Sequence, residues 1–190
     1  MQLLHVKMSE KLQLWPWGVA LPLGAVGWWL FRRPGRYFTW QELTTTNTGL
    51  ANVPSLADRL RLMIMARQVL DPLREVAGPL TVTSAFRSGK VNEAVDGAGG
   101  DCHGGPGCSQ HTVGYGVDVV PHDMTADQLA GLIRSGGAGD LPLYQVIGYS
   151  YTNHLHLGFN PGWNPETQTG DRGRTQYKWK TRSGYEDWSP

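Results

Sequence analysis

Apolar and polar residues alternate along four short segments in the middle of the chain, and this alternation predicts β-strands. The segments lie at 80–85, around 118, at 144–149 and at 154–159. In the last segment Leu155, Leu157 and Phe159 take one face, so His154 and His156 share the other. The last two segments are separated only by residues 150–153, which predicts a hairpin between them.

A helical repeat of apolar residues precedes the first of these strands. A long helix is expected over 56–77, beginning at a capping box formed by Ser55 and Asp58. Pro72 predicts a kink or break within it, because proline lacks the backbone N–H and clashes with the preceding turn. The core-facing positions of this helix are expected to include Leu60, Ile64, Val69 and Leu73.

Two shorter helices complete the predicted elements. One lies over 90–95, and the other begins at Thr125 and Gln128 and continues through Ile133 to the glycines at 136–137. Strands and helices in this order predict an α+β fold. In it, a small antiparallel sheet carries the histidines, and helices pack on its other face.

The chain's most specific chemistry lies in two segments, SQHTVGYGVD at 109–118 and NHLHL at 153–157. Alternation turns Val117 and Val119 to a core and Asp118 away from it, so two strands can aim imidazoles and a carboxylate at one point. These groups are good zinc ligands, and three protein ligands leave a fourth position where zinc activates water. The pattern indicates amide hydrolysis, although a lone HxH motif commonly marks ordinary core or surface histidines.

The same segments resemble zinc peptidase family M15, the zinc D-Ala-D-Ala carboxypeptidases and phage peptidoglycan endopeptidases. The resemblance is carried by SxHxxGxGxD at 109–118 and by HxH at 154–156. TSAFRS at 83–88 is similar to the family's SGYRS-like stretch, which carries an arginine near the substrate. Residues 37–43 and 70–74 look like the beginning and the first long helix of such domains, so the resemblance covers about Tyr37 to Phe159.

Carried over by position, the resemblance makes His111, Asp118 and His156 the zinc ligands. It assigns Arg87 to steadying the substrate carbonyl or its oxyanion. A guanidinium suits this role because it is always charged and presents a fixed fork of donors. Without the resemblance, Arg87 would be read as an ordinary surface arginine at a strand end.

The chain departs from the family pattern at Asn153. Several relatives place an acidic general base at this position, three residues before the last ligand, and an asparagine cannot accept a proton there. The resemblance then implies that His154, beside the metal, assists proton transfer, or that another carboxylate reaches the site. Ser109 or Gln110 could hold the second nitrogen of the His111 ring.

The function that the resemblance implies is zinc-dependent cleavage of peptide stems or cross-links in bacterial peptidoglycan, by an endolysin or a wall-remodelling enzyme. Carboxypeptidase and endopeptidase activity both stay open. The alternative is a noncatalytic zinc-stabilised binding or structural module, because a fold can keep a metal and lose its chemistry. We expect a monomer whose partner is the peptide stem.

The composition of the chain limits its possible partners and the possible states of its cysteines. The 190 residues carry a net charge of only +1 and no basic block, which argues against nucleic acid as a partner. The two cysteines, Cys102 and Cys108, bracket a glycine-rich insertion just before the zinc motif. They could form a disulfide, remain two reduced thiols, or build a second metal site with His103; the spacing favours either of the first two over a metal.

The two ends of the chain differ from its middle in composition. Residues 12–31 contain no charge and four tryptophans, and about 20 apolar residues suffice to span a bilayer. Prolines and glycines weaken that segment as a helix, so an apolar arm packed on the domain is the alternative. We predict an N-terminal extension at 1–36, a zinc peptidase domain at 37–160, and a polar, aromatic-containing and loosely packed tail at 161–190. The enzyme would reach the wall either at lysis or from a membrane tether.

Overall fold

The structure is a computed structural model that describes residues 32–104, 107–159 and 175–188. The described elements belong to a unit that extends from Arg33 to Pro190. The predicted membrane segment at 12–31 lies outside the described residues. Within the described ranges, no helix has the length and apolar character needed to cross a bilayer. The division of the chain at residues 36 and 160 stays a prediction.

Helices packed on one mixed sheet make this an α+β fold, as predicted. The helical elements are α1 Trp40–Thr44, α2 Leu56–Met65, a π-helical turn Ala66–Leu70, α3 Asp71–Ala77, α4 Gly89–Ala94, a 3₁₀ turn Gln110–Val113 and α5 Ala126–Arg134. The strands are β1 Leu80–Ser84, β2 Gly116–Pro121, β3 Leu143–Tyr149, β4 Leu155–Phe159, β5 Gln176–Thr181 and β6 Gly184–Asp187. They form one sheet in the order β1-β2-β4-β3-β5-β6.

The sheet is larger than the small antiparallel sheet expected, because β5 and β6 extend it. Strand β5 pairs parallel with β3, whereas the other neighbouring pairs are antiparallel. The core joins buried residues of α2, α3 and α5 to Val117, Val119, Leu155 and Leu157 of the sheet. These four core residues alternate with Asp118 and His156 along β2 and β4. Helices α2, α3 and α5 therefore cover the face of the sheet opposite to Asp118 and His156.

The expectation of a loosely packed tail is wrong for residues 175–188. Tyr177 and Trp179 alternate with lysines along β5 and pack against the core, and Trp188 is buried. The guanidinium of Arg134 lies 5.6 Å from the ring centroid of Tyr177 and 5.2 Å from that of Trp188. Period-two alternation of aromatic and charged residues was the available strand signal in this segment.

The long helix begins at its predicted cap, and a π-helical turn interrupts its α-helical hydrogen bonding just before Pro72 without ending the helical backbone. The Ser55 hydroxyl accepts a hydrogen bond from Asp58 N–H, and the Ser55 N–H donates to the Asp58 carboxylate. The π-helical turn precedes the proline, and in it Asp71 N–H donates to the carbonyl of Ala66. This wider turn accommodates the ring without ending the helix.

Two of the four predicted core positions in this helix are wrong. Val69 and Leu73 are buried, but Leu60 and Ile64 are 38% and 39% exposed. Residues nine positions apart lie on opposite sides of a helix with 3.6 residues per turn. Leu60 and Val69 therefore could not share a face, and Leu62, seven residues before Val69, takes the core position.

Candidate metal centre and cleft

The predicted ligands come together from three separate elements. His111 lies in the 3₁₀ turn, Asp118 on β2 and His156 on β4. The register of the sheet pairs Asp118 directly with His156. The 3₁₀ turn ends at Gly114, whose φ of 72° is in the left-handed region that glycine adopts at low cost. This turn brings His111 back against β2.

The three side chains form a buried, convergent group. His156 Nδ1 lies 2.8 Å from Asp118 Oδ1, and His111 Nε2 lies 3.4 Å from Asp118 Oδ2. The two ring nitrogens are 3.3 Å apart, and the three ligand atoms all lie within 4.8 Å of one another. Each residue is 7% exposed or less. Such a group could hold one metal ion.

The second nitrogen of each ring is fixed by an oxygen that can only accept. His111 Nδ1 lies 2.7 Å from the Ala85 carbonyl, and His156 Nε2 lies 3.4 Å from Gln110 Oε1. With the protons on these outer nitrogens, His111 Nε2 and His156 Nδ1 are left as the ligand atoms. Contrary to expectation, Gln110 orients His156 rather than His111, and the Ser109 side chain is not the partner of the His111 ring.

The electrostatics favour the protonation states that a metal requires. Burial lowers the pKa of His111 below its ordinary value, although the nearby Asp118 carboxylate opposes this effect. Burial alone would raise the pKa of Asp118, but interactions with His111 and then His156 hold it well below its ordinary value. His111 therefore offers a neutral imidazole and Asp118 an ionised carboxylate at neutral pH, the forms that bind metal ions.

Arg87 contacts the ligand set itself. Its Nη2 donates to Asp118 Oδ2 at 2.8 Å, and its Nε donates to Ser84 Oγ at 2.8 Å. Its backbone N–H donates to the carbonyl of His111 at 3.1 Å. Arg87 is thus held beside the candidate metal position by both its backbone and its side chain. Its role toward a substrate stays a prediction.

His154 lies next to the ligand set, and its hydrogen-bond partner, Thr83, lies at a bulge in β1. The pairing of β1 with β2 shifts register between Val82 and Ser84, at Thr83. The Thr83 hydroxyl lies 2.6 Å from His154 Nε2, and the ring of Tyr149 lies 5.7 Å from the His154 ring. Burial raises the pKa of Tyr149, so this phenol stays protonated at neutral pH.

Arg87, Asp118 and His154 open into one cleft of about 580 Å³. A family model for M15 peptidases matches residues 36–158, more than half of the chain. The chain belongs to the M15 peptidase family. The matched residues include all five predicted site residues, and family members are metallopeptidases. A search of curated proteins found no match to the chain.

Asn153 of this M15 domain points away from the cleft. Its Oδ1 accepts from Ala126 N–H at 2.6 Å, and its Nδ2 donates to the Pro121 carbonyl at 3.2 Å. The side chain therefore ties the hairpin to the start of α5. Among the described residues that line the cleft, Glu42 is the one carboxylate besides Asp118, and it caps α1 through Thr39.

Cys102 and Cys108 of the M15 domain form a disulfide, in agreement with one of the three hypotheses. His103 does not join them in a metal site, since its Nε2 lies 3.3 Å from Asp58 Oδ2. Within the described part of the chain, His111, Asp118 and His156 form the one cluster of histidine, cysteine or acidic residues suited to a metal. The disulfide loop ends directly before the ligand turn.

Proposed function

We propose that this M15 domain is a zinc-dependent peptidase that hydrolyses amide bonds in peptidoglycan stem peptides or cross-links. The observation that carries this proposal is the convergence of two ring nitrogens, from His111 and His156, with the carboxylate of Asp118. Imidazole and carboxylate in a three-residue set suit catalytic zinc. When bound, zinc would supply Lewis-acid chemistry, activating water and polarising the amide carbonyl.

The chain's own residues supply the remaining chemistry. Arg87 has five N–H donors, and its side-chain contacts to Ser84 and Asp118 use two of them. The others can bind the substrate carbonyl and its developing negative charge. His154 Nε2 is engaged by Thr83, which leaves Nδ1 as a second site at which the ring can hold or transfer a proton. Both residues line the cleft, as these roles require.

A second cavity supports cleavage of internal bonds rather than of terminal residues only. It has a volume of about 420 Å³ and is lined in part by Gln110, Tyr115 and Tyr144. Gln110 contacts one nitrogen of His156 and Asp118 contacts the other. The cavity therefore adjoins the Gln110 side of the His156 ring, and we propose that a substrate extends into it beyond the scissile bond.

Mass spectrometry of defined substrates tests the proposal. Free stem peptides and cross-linked muropeptides are incubated with the metal-free protein, the zinc-loaded protein and zinc-treated His111→Ala. We expect fragments with the zinc-loaded wild type alone, at masses that report internal cleavage. Release of terminal D-alanine alone would contradict the assignment of internal bonds. Stoichiometric zinc binding without any cleavage would favour the noncatalytic module.

A further inference from the structure

A wide groove of about 750 Å³ lies beside the cleft and takes no part in the proposed peptidase chemistry. It is formed by the β3–β4 hairpin, the start of α5 and strand β5. Six of its lining residues carry the inference: Asp127, Tyr149, Tyr151, Thr152, Trp179 and Trp188. We call this feature the aromatic groove.

The aromatic rings of the groove are held in fixed positions by their contacts with one another and with the sheet. Tyr151 is 48% exposed, and its ring packs edge-on against Tyr149 at a centroid distance of 5.9 Å. Trp179 lies over Gly148 of β3, where an added Cβ atom would clash with the indole ring. A glycine at this position therefore lets the indole lie against the strand. Rings held in this way offer large apolar faces at little entropic cost.

The polar groups of the aromatic groove select a neutral ligand that carries hydroxyls. Among its described lining residues, Asp127 is the one charged side chain, and none is basic. Trp188 Nε1–H donates to Asp127 Oδ1 at 2.8 Å, so the carboxylate is oriented and can still accept hydrogen bonds. Thr152 adds a hydroxyl. The Asp127 carboxylate would repel an anionic ligand. A sugar, in contrast, can place its C–H groups on the aromatic faces and its hydroxyls against Asp127 and Thr152.

We propose that the aromatic groove binds neutral N-acetylhexosamine units of a glycan strand. The identity of the glycan rests on the proposed function, because peptidoglycan stems are attached to such a strand. Continuity with the cleft supports the assignment. The Tyr149 ring lines the groove and contacts the ring of His154, which lines the cleft. A sugar in the groove would hold its attached stem beside the candidate metal centre.

Calorimetric titration of the metal-free full-length chain with a chito-oligosaccharide tests this proposal. We expect saturable binding that Tyr151→Ala weakens by about three- to tenfold, the range for loss of one aromatic contact. Tyr185→Ala is the matched control, since Tyr185 is 56% exposed on β6 and does not line the groove. Its affinity should equal that of wild type.

Absence of saturable binding, or equal affinity of wild type and Tyr151→Ala, would overturn the proposal. Because Tyr151 is exposed on a hairpin, its truncation leaves the core intact. The titration uses neither metal nor peptide, so its failure says nothing against the peptidase. Cleavage of sugar-free stem peptides, in turn, tests the peptidase without involving the aromatic groove.

Discussion

Each ligand histidine has one nitrogen directed at Asp118 and the other bound by an oxygen from elsewhere in the chain. This arrangement holds both ring planes in position before a metal arrives. A ring that is free to rotate would lose that preorganisation, and such outer contacts typically contribute about 10- to 100-fold in metal affinity. At the scale of single residues, the centre therefore depends on Gln110 and on the Ala85 carbonyl as well as on its ligands.

Gln110→Ala should weaken zinc binding by about 10- to 100-fold, because the His156 ring loses the acceptor for its Nε2–H. Competition titration with a chromophoric chelator measures the change. Ser109→Ala is the control, since Ser109 uses its backbone to bond Ala98 and Thr112. Equal zinc affinity for the two variants would show that Gln110 does not orient the ring.

His154→Ala should lower kcat/KM on a stem peptide by about 100-fold or more, the usual loss when a positioned proton-transfer group is removed. Zinc affinity should change little, since His154 is not a ligand. His122→Ala is a close control, because His122 pairs with Thr81 on β1 at 2.7 Å and lies outside the cleft. Similar rates for both variants would exclude His154 from proton transfer.

At this scale the sequence predicted which three side chains converge at the candidate metal position and missed the residues that hold them in place. His111, Asp118 and His156 are recognisable because their spacing matches a motif. The Ala85 carbonyl contacts His111, and Thr83 and Tyr149 contact His154. These contacts form only when the sheet is assembled in its register, so no local sequence pattern encodes them. The alternation of β4 did contain one missed clue, because it places Asn153 on the opposite side from His154 and His156.

At the scale of elements, helix starts hold the strands and loops around the centre in place. Asn153 joins the β3–β4 hairpin to the first turn of α5. Asp58, only 1% exposed, closes the capping box of α2 and also contacts Arg61 and His103. His103 belongs to the disulfide loop, so this one carboxylate connects the helix to the segment that precedes the ligand turn.

Asp58 should make folding pH-dependent. Burial would raise the pKa of its carboxyl, but hydrogen bonds from Ser55, and then the contact with His103, keep it below its ordinary value of 3.8. A carboxyl with a lowered folded-state pKa stabilises the fold above its unfolded pKa and loses this contribution as pH falls through the folded value. We expect Asp58→Asn to cost about 1 kcal/mol or more at pH 6, the usual contribution of a cap.

Urea unfolding between pH 6 and pH 3 measures this effect. The free energy difference between wild type and Asp58→Asn should shrink as the pH falls below about 4. Asp187→Asn, an exposed change on β6, controls for the loss of one negative charge. A difference that stays constant over this pH range would contradict the assignment.

For the whole molecule, local patterns predicted β1 to β4, the capping boxes of α2 and α5 and the α+β class, because each depends on residues a few positions apart. The parallel pairing of β3 with β5 joins segments about 30 residues apart along the chain, so no local pattern specifies it. The continuation of the helical backbone past Pro72 depends on a π-helical turn, which the local sequence does not indicate. These two features set the width of the sheet and the position of α3.

The candidate ligands join the 3₁₀ turn and β2 to β4, which lies 38 residues farther along the chain when counted from Asp118 to His156, so metal binding should stabilise the domain as a whole. An ion that binds the folded state alone contributes about 2.7 kcal/mol at a free concentration of 100 times its Kd. Calorimetric scans should therefore show a higher Tm with zinc than with a chelator for wild type and for His122→Ala. His111→Ala should show no such rise, because it lacks one of the three ligands. If His111→Ala gains as much as wild type, zinc binds elsewhere and the assigned centre is wrong.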